Sequence, residues 1–205
     1  MKNLIDFFIE TGKLKKMKRT GWVLRNVKDP ETIAEHTFRM ALMAWIFGSA
    51  KNLDTSKILK MALIHDLCEV YAGDMTPYDL LIIGKTKKDI KKLVTKWPGF
   101  TKAEKERNVQ IKHKKEKEGL EKVVKTLPKD LRQEIFLLWE DYDTGKTKEG
   151  RFVKQLDRIE NLLQAMEYWK KDKNFPIAPW WEQLKGLIDD PKLLEFMQAL
   201  DQYYF

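Results

Sequence analysis

The chain has 205 residues, 43% of them hydrophobic and 34% charged, which is enough to bury a core and too apolar for a disordered polypeptide. Its single cysteine, Cys68, excludes an internal disulfide scaffold and fits a reducing, cytoplasmic setting. A formal net charge of +8 keeps anionic partners open, from nucleic acid to small phosphate esters.

Helical spacing dominates and strand-type alternation is nearly absent, so the predicted fold is all-α, a single domain over residues 1–205. Asn3 to Thr11 reads as a short helix stopped near Gly12. Asp6 and Glu10 interrupt its apolar run, which argues against a signal peptide. No apolar stretch approaches the ~20 residues of a membrane span. Gly21 to Pro30 reads as an irregular loop. Glu31 to Ala50 reads as a long apolar-rich helix. Asp54 or Thr55 caps a further helix that runs to about Tyr71, with Ile58, Leu59, Ala62, Leu63, Leu67 and Val70 on its buried side.

A turn at Gly73–Pro77 leads into Lys-rich helices broken around Pro98–Gly99. Pro128 to Tyr142 forms a helix with Leu131, Ile135 and Leu138 on one face. Thr147 to Lys171 forms a long one. A proline- and tryptophan-rich loop covers Phe175 to Trp181, and a terminal helix carries Leu193, Phe196, Met197 and Leu200. Trp180 and Trp181 are candidates for packing across a dimer, and the terminal Gln202–Phe205 for core or interface packing.

The positive charge is local. Lys85 to Lys129 holds 16 Lys/Arg against 6 Asp/Glu, whereas the rest of the chain holds 23 against 25. Few aromatics interleave with these lysines, so a nucleic-acid stacking surface is disfavoured. A solvated helix pair and a phosphate-attracting patch both remain open. His113, inside KHKKEKE, is expected on the surface.

Of the three histidines, His65 and Asp66 stand together in the otherwise apolar text IHDLCEVYAGD. Glu69, four residues after His65, is expected on the same helix face, and Asp74 lies just past the helix end. Glu35–His36 and Asp157 sit among apolar residues of two other helices. Burying such groups costs several kcal/mol unless they are paired or ligated. One resolution is a divalent metal held by His36, His65, Asp66 and Asp157, a donor set that suits Mn, Fe, Co, Ni or Zn better than Ca. Such a metal acidifies water, and Glu69 and Asp74 could orient that water or carry its proton. The competing resolution is a satisfied His65–Asp66 pair with Asp157 in an ordinary salt bridge. Cys68 is expected to be a buried, inert thiol.

The segments RTGWVLRNV (Arg19 to Val27), ETIAEHTFRMA (Glu31 to Ala41), ALIHDLCEVYAGDMTP (Ala62 to Pro77), LWEDYD (Leu138 to Asp143) and FVKQLDRIENLLQAMEYW (Phe152 to Trp169) resemble the HD-domain phosphohydrolases. They are most similar to the 5'-deoxynucleotidase (YfbR-like) branch. The resemblance implies an HD-domain helical bundle, with a core of about residues 15–172 and a C-terminal helical extension at 175–205. It implies metal-dependent hydrolysis of deoxyribonucleoside 5'-monophosphates, with metal identity among Mn, Co, Fe, Ni, Zn or Mg and a homodimeric state. It assigns the metal to His36, His65, Asp66 and Asp157, the attacking water to Glu69, and the sugar side to Asp74, which could also assist the leaving oxygen. It allows a second Mg at Glu69 and Asp74. Trp22 matches a family tryptophan that packs near the nucleotide. Gly21 stands where some members carry a phosphate-holding arginine, so Arg19 or Arg25 must supply that charge. A Lys-rich insertion at about 80–101 borders the site, as a lid or as a surface embellishment. A phosphodiesterase or nucleoside triphosphatase within the same fold is the competing enzyme, and a basic nucleic-acid-binding bundle the competing non-enzyme.

Overall fold

The computed structural model describes residues 1–204 and is helical throughout, with one isolated antiparallel bridge, Lys18 to Thr32, among the described residues. Phe205, expected in terminal packing, lies outside the described residues. Local signals set most helix starts. Thr32 and Glu35 form a capping box at the head of α3 (Ile33–Ser49), and Asp54 accepts the backbone N–H of Lys57 at the head of α4 (Thr55–Ile64). Thr101 and Glu104 form a second capping box on α8 (Lys102–Val124), and Thr147 caps α10 (Lys148–Lys171). Gly145, left-handed at φ 61°, ends α9 (Lys129–Thr144).

Helix α10 is the axis of the bundle. Leu156, Ile159, Leu162, Ala165 and Met166 are fully buried on it, packed with Met40 and Ala44 of α3 and Met61 and Ala62 of α4. A second apolar cluster joins Ile33, Leu67 and Cys68 to Leu120, Val123 and Val124 of α8 and to Ile135 and Trp139 of α9. His36, His65 and Glu160 lie buried between elements that feed both clusters.

Several expectations need correction. The segment after Asp54 is not one helix to Tyr71. It stops at Ile64, turns through His65–Cys68 and resumes as α5 (Glu69–Ala72). Through the turn the backbone bonds tighten to i→i−3, as in Leu67 N–H to Ile64 O and Glu69 N–H to Asp66 O. His65 and Glu69 therefore do not share a face of a regular helix. Leu63, expected inside, is 51% exposed. Residues 20–24, read as loop, form the short helix α2 (Thr20–Leu24), and the tryptophan-rich loop contains α11 (Ala178–Leu184), started by Pro179 near its N-terminus. Trp180 is buried against Trp22 in the same chain, ring centroids 4.8 Å apart, so it does not offer a surface to a second copy.

The remaining helices are α1 (Lys2–Thr11), α6 (Asp79–Ile82), α7 (Lys87–Leu93) and α12 (Pro191–Tyr204). Short helices α6 and α7 lie in the Lys-rich segment of about residues 80–101. It is tied down by fully buried Val94 and by the Tyr78 hydroxyl, which donates to the Lys96 carbonyl. No described helix is long and apolar enough to cross a membrane.

Candidate metal centre

Four separate stretches supply the site. His36 comes from the first turn of α3, where the capping box fixes the helix start four residues earlier. His65 and Asp66 come from the turn between α4 and α5, and Asp157 from the middle of α10. The bridge between Lys18 and Thr32, with Arg19 N–H donating to Glu31 O, lays Arg19 beside them.

The donor atoms of His36, His65 and Asp66 lie within 4.8 Å of one another, and Asp157 adjoins them through His36. His36 Nε2 is 3.2 Å from His65 Nε2 and 3.2 Å from Asp157 Oδ1. Asp66 Oδ2 is 3.1 Å from His65 Nε2 and 3.9 Å from His36 Nε2. Asp157 thus pairs with His36, Tyr142 and Asn161 rather than with a lysine or arginine in an ordinary salt bridge.

The far side of each imidazole fixes its proton. His65 Nδ1 lies 2.8 Å from the Ala62 carbonyl, an acceptor only, so that nitrogen carries the hydrogen. His36 Nδ1 meets the Glu160 carboxylate in a short contact, with the same consequence. The two Nε2 atoms therefore face each other and two carboxylates. Positive charge at that point, from a bound cation or from a proton on the ring, relieves the crowding of acceptors. Neighbouring ligands held at ~2.1 Å in a right-angled shell sit about 3 Å apart, close to the 3.2 Å found. The donor set fits a divalent cation. With no cation between the donors, the His36 ring itself carries the positive charge. Burial and Arg19 oppose charge on the His36 ring, yet Glu160 and Asp157 outweigh them and raise its pKa to about 10. Burial pushes the Asp66 and Asp157 carboxyls up, but the imidazoles and Arg19 hold both well below the ordinary range.

A supporting layer was not legible in the sequence. Glu160 is fully buried and joins His36 to Arg39, whose Nε donates to Glu160 Oε1 at 2.7 Å. Arg39 also donates to Gln164 at 2.7 Å and Glu167 at 2.9 Å. Asp157 accepts from the Tyr142 hydroxyl at 2.9 Å and from Asn161 Nδ2 at 2.9 Å. Arg39 follows His36 by three positions, and Glu160 and Asn161 follow Asp157 by three and four, so helical spacing was the available signal.

Glu69 is 2% exposed, and its Oε2 has no hydrogen-bond partner among the described residues. Burial first, then Asp66 and Asp74, push this carboxyl well above the ordinary range, against Arg19 and Lys112. Asp74 Oδ2 accepts the Thr20 backbone N–H at 2.6 Å and lies 3.9 Å from Arg19 Nε. It is placed there by Gly73, whose φ of 76° ends α5.

The candidate phosphate and nucleotide contacts divide. Arg19 reaches the site, donating to Asp66 at 2.8 Å and Asn161 at 2.9 Å. Arg25 instead donates to Gly21 O and the Tyr78 hydroxyl and lies 4.1 Å over the Trp180 ring. Trp22 is 2% exposed, donates to Glu31 at 2.8 Å and packs on Tyr168, Phe175 and Trp180, so the structure places it in the core. Cys68 is buried, as expected, and burial raises its thiol pKa. His113 lies at the surface with its side chain 35% exposed, its Nδ1 2.5 Å from Asp143 and its ring against Trp139.

The chain matches the family described as HD domain over residues 11–190. It is 32% identical over 201 residues to 5'-deoxynucleotidase HDDC2 of Homo sapiens, covering 98% of this chain and 85% of that protein. It is 38% identical over 202 residues to 5'-deoxynucleotidase HDDC2 of Dictyostelium discoideum, covering 93% of each. Among solved structures it resembles a conserved hypothetical protein from Pyrococcus furiosus, with TM-score 0.67 and 23% identity over 97% of this chain and 99% of that one. A predicted metal-dependent phosphohydrolase from Magnetospirillum magnetotacticum MS-1 superposes with TM-score 0.64 at 22% identity, covering 98% and 91%. At these identities the two structures speak to the fold alone.

Proposed function

The chain belongs to the HD-domain family, and from that premise we propose that it is a metal-dependent 5'-deoxynucleotidase, hydrolysing deoxyribonucleoside 5'-monophosphates to deoxynucleoside and phosphate. The observation that carries the reading is the pair of imidazole Nε2 atoms 3.2 Å apart, flanked by Asp66 and Asp157, with the unpartnered Glu69 Oε2 nearby in the same acidic cluster. The activity named for the relatives is what selects nucleotides among phosphate esters.

His36 and His65 would hold the cation through Nε2, and Asp66 and Asp157 through one carboxylate oxygen each. When bound, a divalent cation supplies Lewis acidity, drawing charge from a phosphate oxygen and acidifying water. Glu69 Oε2 takes the proton from the attacking water. A carboxylate with raised proton affinity is a stronger base than an exposed one, and its free oxygen needs no hydrogen bond to break first. Arg19, permanently charged beside Asp66 and Asp74, offsets negative charge gathering on the phosphate. Asp74, fixed by the Thr20 N–H, serves the sugar side of the substrate and the leaving oxygen. A second Mg at Glu69 and Asp74 belongs to the same reading.

A homodimer is part of the proposal. Phe38, Leu42, Trp45 and Ile46 recur at helical spacing on the outer face of α3 and are 67%, 39%, 56% and 67% exposed. Their apolar surface amounts to roughly half of the ~800 Å² that each partner covers in a standard interface. The free thiol of Cys68 is in keeping with a reducing cytoplasm.

The test is inorganic phosphate release from deoxy- and ribonucleoside 5'-monophosphates with Co, Mn, Zn, Ni, Fe or Mg in turn. The proposal expects release from dAMP that chelation abolishes, and none from cyclic nucleotides or dATP. Hydrolysis of the cyclic or triphosphate substrates instead would replace it with the phosphodiesterase or triphosphatase reading.

A further inference from the structure

Helix α8 carries much of the Lys-rich segment, yet one of its faces is turned inward. Lys112, Glu116, Gly119–Leu120 and Val123 recur at spacings of four and three, and from Glu116 onward these residues are buried. The helix is pressed against the turn that follows Asp66: a Cβ on Gly119 would come within 2.5 Å of the Cys68 carbonyl oxygen. Glu116 and Lys112 continue that face by one and two turns, and His113, next to Lys112, contacts Asp143 beside the Tyr142 that donates to Asp157. Glu116 is 6% exposed, and Lys112 Nζ lies 3.4 Å from its Oε1. The Lys112 ammonium is within electrostatic range of Glu69, Asp66 and Asp157 without touching them, and its side chain is 49% exposed.

The other cations near the centre are partly or wholly engaged. Arg19, which offsets charge on the phosphate, is 13% exposed and already spends two of its five donors on Asp66 and Asn161. Arg39 stands behind Glu160, bound to Glu160, Gln164 and Glu167. Arg25 is stacked on Trp180 and bonded to Tyr78. A phosphate dianion approaching Asp66, Asp74, Glu69 and Asp157 meets like charge and needs a donor with free hydrogens.

We propose that Lys112 is that donor: its Nζ, held in place by Glu116, binds a non-bridging oxygen of the substrate's 5'-phosphate. The ammonium has three hydrogens, and Glu116 takes one at most of its reach. This assignment rests on the phosphomonoesterase reading above and supplies the phosphate contact that Arg25 cannot.

The experiment measures binding of inorganic phosphate to the Co²⁺-loaded full chain, together with dAMP kinetics, for wild type, Lys112→Gln and Lys112→Arg. Losing one charge-assisted hydrogen bond predicts that phosphate Kd and dAMP KM rise about ten- to hundredfold in Lys112→Gln. kcat should change far less, bound cobalt should be unaltered, and Lys112→Arg should recover most of the affinity. Phosphate should also protect Lys112, but not Lys114, from acetylation in the wild-type protein, a readout that needs no variant. Phosphate affinity and KM within about twofold of wild type in Lys112→Gln, or acetylation of Lys112 indifferent to phosphate, would overturn the assignment. Wild-type protein that binds phosphate through Lys112 yet hydrolyses no monoester would overturn the proposed activity and leave the phosphate site standing.

Discussion

Glu160→Gln is the sharpest probe of the metal centre, because the substitution keeps shape and removes only charge and one acceptor. Glu160 is fully buried and accepts from two sides, His36 Nδ1–H on one oxygen and Arg39 Nε–H on the other. A glutamine has one oxygen and one NH2 group. Whichever way the amide turns, its NH2 faces a donor, either the imidazole N–H or the guanidinium. A buried donor left unsatisfied costs about 1–3 kcal/mol, more for a charged group. If the amide turns its oxygen to His36, the arginine is left facing the NH2. If it turns the other way, the ring must rotate or take the opposite tautomer, which puts a hydrogen on the Nε2 that should bind the cation. Either route predicts metal affinity about ten- to a hundredfold weaker, in keeping with the effect of replacing groups that orient metal ligands. Isothermal titration of the metal-free protein with Co²⁺ measures it. Glu167→Gln is the control, since Glu167 touches Arg39 but not His36, and it should change affinity by less than about threefold. A Glu160→Gln protein that binds Co²⁺ as tightly as wild type would refute the argument that this carboxylate fixes the ring.

Asp66→Ala should purify without metal and without activity, whereas Glu69→Ala should keep its metal and lose about 10²- to 10⁴-fold in turnover. Elemental analysis and phosphate release separate the two, and full turnover in Glu69→Ala would remove Glu69 as the base. Asp141 is paired with Lys57 at 2.7 Å and accepts from the Thr147 N–H and hydroxyl. Burial pushes its carboxyl up, but Lys57 and Thr147 outweigh it and depress the folded pKa below the unfolded value. Its stabilisation is therefore present above about pH 4 and fades as pH falls through the folded pKa. Asp141→Asn should cost about 1–2 kcal/mol in urea unfolding at pH 7 and much less at pH 3, and an equal loss at both would contradict this account. Trp45→Glu should convert a dimer into a monomer in light scattering without changing bound metal; a wild-type monomer would discard the α3 interface.

The sequence shows His36, His65, Asp66 and Asp157 because each interrupts apolar helical text, where a charge is conspicuous. The same logic hides Lys112, a lysine among lysines. Only the spacing to Glu116, Gly119 and Val123 distinguishes its face, and only the contact between Gly119 and the Cys68 carbonyl gives that face a direction. The break at His65–Cys68 is equally hidden, since His65 and Cys68 keep right-handed helical dihedrals while the hydrogen bonds shorten their period. Trp22 shows the opposite error. Its motif suggests a ligand contact, and tertiary packing buries it beneath Trp180, a residue 158 positions away that no local pattern ties to it.

His36 and Glu160 meet across 124 positions of chain, and the proposed donors belong to two long helices and the turn between two others. An ion seated there acts as a clasp on the bundle as well as a reagent. Thermal midpoint should then climb with free ion concentration, by the equivalent of about 2.7 kcal/mol once the ion exceeds its dissociation constant a hundredfold. A cell that withholds the ion would on this view shorten the lifetime of the folded chain along with its turnover.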